Sequence, residues 1–291
     1  MKSPPFDYIR AKSLDDAHQL LAAAGSAVFM AGGQSLLAGL AFRLSDPGLL
    51  IDISRVPELR GIHLTSSSQL SIGALTTHAE LGHDPLVRMH APLFADAAPL
   101  IAHAAIRNRG TLAGSLAYAD PAAELPACCV AAGASIIATS PRGERRIPAE
   151  AFFTGLFTTA LAPDELIRAV EIPPMRPGSG ATILELARRS GDYAMAGIAL
   201  VVERDSGTLG RARPVFFGVG AGPVFAKRAA AALAAGGWTS GAIVAAQAAL
   251  DRDLDPPGDM HGSPAFKRQL ARVLLVRAIA RLQPQNMVRA A

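Results

Sequence analysis

The stretch Phe29–Leu44, FMAGGQSLLAGLAFRL, places two glycines between an apolar run and a leucine-rich run. The apolar residues 27–31 are few and bounded by glycines, which predicts a buried strand. The leucine-rich run predicts a helix that begins near Ser35. The first turn of a helix exposes unpaired N–H groups, and glycines allow the backbone to curl around an anion. A phosphate or diphosphate therefore suits Gly32, Gly33 and the Ser35 hydroxyl.

The same pattern has a second interpretation. A tight turn between a strand and a helix also favours glycines at this position, with nothing bound. Taken alone, the segment fits both interpretations equally well.

A second segment of the same character lies at 107–127, RNRGTLAGSLAYADPAAELPA. It combines small residues with the hydroxyls of Thr111 and Ser115, and we predict a loop followed by a helix that Pro121 opens. Glu124 falls in the first turns of that helix. Two such segments predict one long ligand between them, such as a dinucleotide, which offers a diphosphate to amides and ribose hydroxyls to a carboxylate. The alternative for Glu124 is that its charge complements its own helix dipole.

Composition excludes several classes of protein. The chain has 291 residues, of which 50% are hydrophobic and 18% charged, so it can bury a large core. A net charge of +4 with scattered arginines lacks the basic block of a nucleic-acid-binding protein. The N-terminus lacks the apolar segment of a signal peptide, and no run reaches the roughly 18 apolar residues of a membrane span. We therefore predict a cytoplasmic protein that binds no nucleic acid and spans no membrane.

The order of predicted elements indicates three α+β units. Residues 1–60 alternate helix and strand, residues 61–175 combine a hairpin with helices and further strands, and residues 176–291 hold strands followed by helices. The linker 173–180, PPMRPGSG, separates the last two units, because it contains three prolines and two glycines.

Finer predictions concern the second unit. One helix is expected over 92–104, and a charged, exposed turn is expected at Arg145 and Arg146. Arg107 and Arg109 fit a phosphate contact and a solvated loop equally well.

No pattern of residues predicts a metal site. Cys128 and Cys129 lie in an alanine-rich apolar stretch and are typical of small buried side chains. Two cysteines alone cannot hold a zinc ion or an iron–sulfur cluster. The histidines between residues 63 and 103 lack the spacing of a zinc-binding helix, so we interpret them as ordinary core or surface residues.

Several motifs occur in a characteristic order along the chain. They are AGGQSLL, IRNRGTLAGSLAYADPAAELP, FFTGLFTTALAPDELI, ARRSGDYAMAGIAL and, near the C-terminus, PAFKRQLARVLLVRAI. Together they resemble the flavoprotein (medium) subunit of the molybdenum hydroxylases, a group that includes carbon monoxide dehydrogenase and xanthine dehydrogenase. The resemblance implies an α+β fold of the vanillyl-alcohol-oxidase (PCMH) type. Its FAD-binding lobes would be 1–60 and 61–175, and residues 176–291 would form a C-terminal domain of a sheet with packed helices.

The resemblance also implies that FAD lies extended between these parts. The first loop would wrap the diphosphate, the second would hold it from the other side, Glu124 would meet polar groups, and apolar side chains would contact adenine or flavin. The expected cofactor contacts are Ala31, Gly32, Gly33, Gln34, Ser35, Leu36, Ile101, Thr111, Gly114, Ser115, Glu124, Leu161 and Tyr193. Tyr193 would lie near the flavin ring and limit access to it; a buried core tyrosine is the alternative. No catalytic side chain and no metal ligand are expected.

Two residues depart from the family pattern. Ala113 stands where a glycine pair is common, so its methyl group would shift the backbone. Glu185 stands where some members have a lysine near the flavin. A carboxylate disfavours an anionic reduced flavin that a lysine would stabilise.

The implied function is electron transfer within a larger assembly. Substrate oxidation would occur on a large molybdopterin subunit, a small iron–sulfur subunit would relay electrons, and FAD on this chain would pass them to an external acceptor. A dimer of heterotrimers is the expected assembly. Two alternatives are a stand-alone FAD oxidoreductase of the same fold and a non-catalytic nucleotide-binding or assembly protein.

Overall fold

The structure, a computed structural model, describes residues 2–205 and 208–283. Its first elements are β1 (Asp7–Arg10), α1 (Leu14–Ala23), β2 (Ala27–Met30), α2 (Leu36–Ala41) and β3 (Leu49–Asp52). The strands form a parallel sheet in the order β1-β3-β2. Ser13 caps α1, because its Oγ accepts a hydrogen bond from the Asp16 N–H at 3.1 Å. The sheet and α1 support the loop that follows β2.

The next elements form the largest part of the molecule. They are β4 (Ile62–Leu64), β5 (Leu70–Gly73), α3 (His78–His83), α4 (Pro85–His90), α5 (Pro92–Ala97), α6 (Ala104–Arg107), α7 (Leu112–Tyr118), α8 (Glu124–Ala132), β6 (Ser135–Ser140), β7 (Gly143–Pro148), α9 (Ala149–Phe152), β8 (Phe153–Gly155), β9 (Thr158–Thr159) and β10 (Leu166–Ile172). Five strands pair antiparallel in the order β4-β5-β10-β6-β7. One apolar core joins this sheet, its helices and the first sheet, and it contains Ile51, Ile72, Phe94 and Phe152.

The last elements are a four-stranded sheet and its helices. They are β11 (Gly180–Leu186), β12 (Ala196–Asp205), β13 (Thr208–Phe217), β14 (Val224–Phe225), α10 (Lys227–Gly236), α11 (Ser240–Asp253) and α12 (Pro264–Leu282). The strands pair antiparallel in the order β11-β12-β13-β14. None of the helices in the described ranges is both long and apolar enough to cross a membrane.

This four-stranded sheet is buried on both faces. Along each strand the side chains alternate between the faces. Ile198 and Phe216 pack with Leu275 of α12 in a separate core. Their neighbours Ala199 and Phe217 point the other way and join the core of the preceding elements. The sheet therefore ties the C-terminal helices to the rest of the chain.

The structure corrects several predictions. The predicted helix 92–104 is broken, because α5 ends at Ala97 and α6 begins only at Ala104. The predicted loop after Gly110 contains α7, which Thr111 caps. The helix assigned to Pro121 begins at Glu124.

Arg145 and Arg146 are not in a turn. They lie in β7, where Arg145 pairs with Glu165 at 2.6 Å and Arg146 pairs with Glu171 of β10. Ion pairs between segments distant in sequence hold this charged strand in the sheet. Cys128 and Cys129 are both buried, as predicted. The boundaries at residues 60 and 175 stay predictions.

Candidate functional site

The first glycine segment, residues 31–35, connects β2 to α2. Gly33 has a φ of +72°, a conformation that favours glycine because residues with a side chain are strained there. None of the described residues accepts a hydrogen bond from the backbone N–H groups of residues 32–35. The Ser35 side chain makes no capping hydrogen bond either. The loop thus presents a row of free donors, the chemistry that binds an anion.

The helix contributes less to this site than the sequence suggests. α2 spans only six residues and ends at Ala41. So short a helix has a small dipole. Anion binding here depends on the free N–H groups of the loop rather than on a helix macrodipole.

The second glycine segment begins at Gly110 and continues into α7. Thr111 caps this helix, since its Oγ1 accepts a hydrogen bond from the Gly114 N–H at 3.1 Å. A Cβ on Gly114 would lie 2.8 Å from that oxygen, so the cap itself requires glycine. The Gly114 N–H is therefore already satisfied. The Ser115 hydroxyl has no partner among the described residues and remains available for a ligand.

The two segments meet in the folded chain. A Cβ on Gly32 would lie only 2.1 Å from the carbonyl oxygen of Arg109 and 3.0 Å from the Cα of Gly110. Gly32 must lack a side chain because the backbone of the second segment occupies that space.

A cavity of about 610 Å³ opens beside this junction. Its volume lies within the range of small-molecule and cofactor sites, roughly 300–1,000 Å³. Every predicted cofactor contact lines it: Ala31, Gly32, Gly33, Gln34, Ser35, Leu36, Ile101, Thr111, Gly114, Ser115, Glu124, Leu161 and Tyr193. Ala113 lines it as well, whereas Glu185 is not among its lining residues. The structure thus brings the predicted set together, and its contacts with FAD stay predictions.

A buried carboxyl group forms part of the cavity wall. Glu124 is the first residue of α8 and is only 9% exposed. Its pKa is raised to about 8, chiefly by burial and also by the nearby acids Glu185 and Asp120, against the lowering effect of a hydrogen bond from its own backbone N–H. Glu124 is therefore mainly protonated at neutral pH. A neutral acid does not complement a helix dipole as a charge, but its O–H is a donor for a ligand.

Glu185 adds a further carboxyl group to this region. Burial raises the pKa of Glu185 to about 7, and its Oε2 is buried without a hydrogen-bond partner among the described residues. Burial also raises the pKa of Asp120. None of the described cations lowers the pKa of these three acids. The departure at Glu185 therefore creates a group of carboxyls that favours protonation.

The mouth of the cavity carries aromatic side chains. Tyr193 is 71% exposed, so it is not the core tyrosine of the alternative interpretation. Tyr118 packs edge-on against Phe157, with ring centroids 5.3 Å apart. Ile101 is buried and Leu161 half-buried, and both supply apolar surface. The polar groups therefore gather at the glycine junction and at Glu124, and the mouth offers flat apolar groups.

Two further side chains contact the loops around the cavity. His78 lines the cavity and lies against the second segment. Arg107 holds the loop at Ile101 and Ala102, since its Nη1 lies 2.9 Å and 2.7 Å from their carbonyl oxygens. Arg107 thus positions a wall of the cavity, while the Arg109 side chain is exposed. No local signal identifies His78, because its partners lie far along the chain.

Metal ligands are not grouped in the described part of the chain, where no three His, Cys, Asp or Glu side chains can share an ion. The residues present instead fit FAD. Free backbone amides and two unpaired hydroxyls suit a diphosphate and ribityl or ribose hydroxyls, and the mouth suits a planar ring. The absence of a side chain at Gly32 allows a ligand to lie close to the backbone. The buried Glu124 carboxyl offers such a ligand a polar contact.

Two family models together match nearly the whole chain. Residues 4–175 match the FAD binding domain in molybdopterin dehydrogenase. Residues 181–282 match the CO dehydrogenase flavoprotein C-terminal domain.

Individual relatives are similar over their full length. Subunit alpha of the 6-hydroxypseudooxynicotine dehydrogenase complex of Paenarthrobacter nicotinovorans is 42% identical over 97% of this chain and 95% of its own length. A chain of carbon monoxide dehydrogenase from Hydrogenophaga pseudoflava superposes with a TM-score of 0.93 at 37% identity, covering 96% of this chain and 98% of that one. A chain of quinoline 2-oxidoreductase from Pseudomonas putida 86 gives a TM-score of 0.91 at 36% identity, over 97% and 98%.

Proposed function

We propose an electron-transfer role for this chain, which belongs to the family of FAD-binding medium subunits of molybdenum-containing hydroxylases. FAD is the cofactor of this family, and the chain is accordingly a subunit of an oxidoreductase. In the proposed role, electrons reach the FAD of this chain from iron–sulfur clusters on a partner and leave to an external acceptor.

The cavity between the glycine segments is the observation that carries the proposal. The amides of residues 32–35 would hold the diphosphate, and Ser115 would meet it or a ribityl hydroxyl from the other side. The protonated Glu124 would donate a hydrogen bond to a cofactor acceptor. Ile101, Leu161 and Tyr193 would flank the planar groups and limit the access of water. FAD, when bound, supplies the electron chemistry, because it exchanges electrons singly or in pairs.

The protein's contribution is binding and orientation. No side chain of this chain needs to act as an acid or base on a substrate, so we assign no catalytic residue. At neutral pH Glu124 would act on the cofactor as a neutral hydrogen-bond donor, and its negative charge would disfavour adding electrons only at higher pH, where it ionises.

We infer that the partners are a small iron–sulfur subunit and a large molybdopterin subunit, in a dimer of heterotrimers. The support is that relatives are named as parts of multi-subunit enzymes, such as subunit alpha of a complex or a medium chain. The substrate would be chosen by a partner. Relatives of 36–42% identity over nearly their full length belong to enzymes named for 6-hydroxypseudooxynicotine, carbon monoxide and quinoline, so the medium subunit does not follow one substrate.

The test is purification from the native host through a tag on this chain, followed by flavin, iron and molybdenum analysis. FAD together with both metals supports the proposal. FAD without metals would indicate a stand-alone flavin oxidoreductase, and a colourless chain would indicate a non-catalytic nucleotide-binding protein. Either result contradicts the electron-transfer subunit.

A variant of the complex then tests the electron route. Gly33→Val places a branched side chain at a φ of +72° and should abolish FAD retention while both metals remain. Reduction of external acceptors such as NAD, quinones or oxygen should then stop. Normal flavin content in this variant would defeat the assignment of the loop.

A further inference from the structure

We propose that His78 is a positioning residue for the cofactor site: its imidazole fixes the Thr111 carbonyl group and thereby the contact between the two glycine segments. The inference rests on the proposed function, since it takes the cavity to be the FAD site. It adds a residue outside both segments that determines their geometry.

Four hydrogen bonds join residues 74–78 to the second segment, and one of them distinguishes His78 from its neighbours. Three of them join backbone to backbone: Ala113 N to Ala74 O at 3.1 Å, Leu112 N to Thr76 O at 2.9 Å and His78 N to Gly110 O at 2.9 Å. The fourth comes from a side chain, because the His78 Nε2 lies 3.1 Å from the Thr111 carbonyl oxygen. Among the described residues, this ring is the side-chain partner of the Gly110–Thr111 backbone. It holds the peptide that leads directly into the capped start of α7.

Packing extends this effect to the first segment. A Cβ on Gly110 would lie 3.0 Å from the His78 Cε1, so the ring is in close contact with the Gly110 backbone. Gly110 in turn is in close contact with Gly32, whose Cβ would lie 3.0 Å from the Gly110 Cα. The ring, Gly110 and Gly32 thus form one continuous contact. Removing the ring would let the second segment move away from the free amides of residues 32–35.

The protonation state of His78 follows from its surroundings. A carbonyl oxygen only accepts hydrogen bonds, so the Nε2 carries the proton. The Nδ1 is buried and has no partner among the described residues, so a second proton would have no acceptor. The pKa of His78 is lowered to about 4, chiefly by burial and also by the Arg107 charge on α6, while the hydrogen bond to the Thr111 carbonyl opposes both. The imidazole is therefore neutral and acts as a single fixed donor.

The experiment measures the FAD dissociation constant of the full-length chain by flavin fluorescence, with unfolding of the FAD-free chain recorded in parallel. His78→Leu keeps the bulk but removes the donor, and we expect FAD binding to weaken about tenfold or more. His78→Gln places an amide N–H near the position of Nε2 and should stay within about threefold of wild type. His83→Leu is the matched control, since His83 is exposed on the same helix and should leave binding unchanged.

A third variant keeps the test decisive if His78→Leu does not fold. His78→Asn is polar but too short to reach the Thr111 oxygen, so it should bind FAD as poorly as His78→Leu, while His78→Gln binds well. Equal affinity of the Gln and Asn variants, or wild-type affinity of His78→Leu, would overturn the inference. A wild-type chain that binds no FAD would instead overturn the proposed function and this inference with it.

Discussion

Gly32 and Arg109 are in backbone contact, so close that a Cβ on Gly32 would lie 2.1 Å from the Arg109 carbonyl oxygen. The contact joins the loop after β2 to the loop before α7. Residues of both loops line the cavity. The position of the free amides relative to Ser115 therefore depends on how closely these two backbones approach.

Gly32→Ala should separate the two loops. A methyl group at this distance forces a backbone shift, because a carbonyl oxygen cannot rotate away as the end of a side chain can. Overpacking of this kind lowers the free energy of unfolding by about 1–3 kcal/mol. We expect FAD affinity to fall by about tenfold or more in the same variant. Isothermal titration with FAD and urea unfolding measure the two effects.

The control for this variant is Gly39→Ala in α2. A Cβ there would meet no atom within 4 Å. Alanine in a helix is favoured over glycine by up to about 1 kcal/mol, so the control should be neutral or slightly stabilising. Equal behaviour of the two variants would contradict the contact.

Glu124→Gln tests the buried neutral acid through the pH dependence of stability. The pKa of Glu124 is about 8 in the folded chain and near its ordinary value of 4.5 in the unfolded chain. The folded state therefore binds more protons between these values, and stability falls as pH rises through that interval. By pH 9 the loss is about 3–5 kcal/mol in the FAD-free chain.

Glutamine mimics the protonated acid but cannot ionise. We expect Glu124→Gln to match wild type at pH 5 and to exceed it increasingly toward pH 9, as measured by urea unfolding at each pH. Parallel pH profiles for the two proteins would show that Glu124 ionises normally. Glu124→Ala should in addition weaken FAD binding by about 1–3 kcal/mol, because it removes a buried hydrogen bond.

The sequence predicted the fold class and the grouping of the site, for identifiable reasons. The family match and the superposition on carbon monoxide dehydrogenase confirm the fold. The glycine loops could be found because a strand, glycines and a helix start are local signals. Their contact at Gly32 could not, because it joins residues from different parts of the chain.

The errors have the same origin. α7 is a seven-residue helix that depends on the Thr111 cap and on burial of Leu116, whereas its glycine-containing sequence alone favours a loop. The sequence of β7 favours a charged turn. In the folded chain it is a strand because Arg145 and Arg146 form ion pairs with acidic residues that lie further along the chain. His78 is a buried, hydrogen-bonded histidine, as expected, but the sequence could not identify its partner Thr111, which lies on another element.

Arg107→Met, compared with Arg109→Met, tests whether these two arginines have different roles, which the sequence could not distinguish. The Arg107 guanidinium bonds to two carbonyl oxygens, at Ile101 and Ala102, and Ala102 has an unusual positive φ of 42°. Losing charge-assisted bonds to this strained loop should lower the free energy of unfolding by about 1–3 kcal/mol and weaken FAD binding. Arg109→Met removes an exposed side chain with no partner among the described residues, so its unfolding curve should overlay that of wild type. The interpretation fails if both variants unfold alike.

The last prediction concerns acid, where His78 has the opposite effect to Glu124. The pKa of His78 is about 4 in the folded chain and about 6.5 in the unfolded chain. The unfolded state therefore binds the extra proton first, and stability falls as pH decreases from about 6.5 to 4, by about 2–4 kcal/mol in total. His78→Gln lacks this titration, so the difference in unfolding free energy between wild type and variant should shrink or reverse across that interval. Carboxylates that titrate in the same range contribute equally to both proteins and cancel in the difference. A difference that stays constant from pH 7 to pH 4 would show that the imidazole is not held neutral, and the fixed Nε2 donor to Thr111 would lose its physical basis.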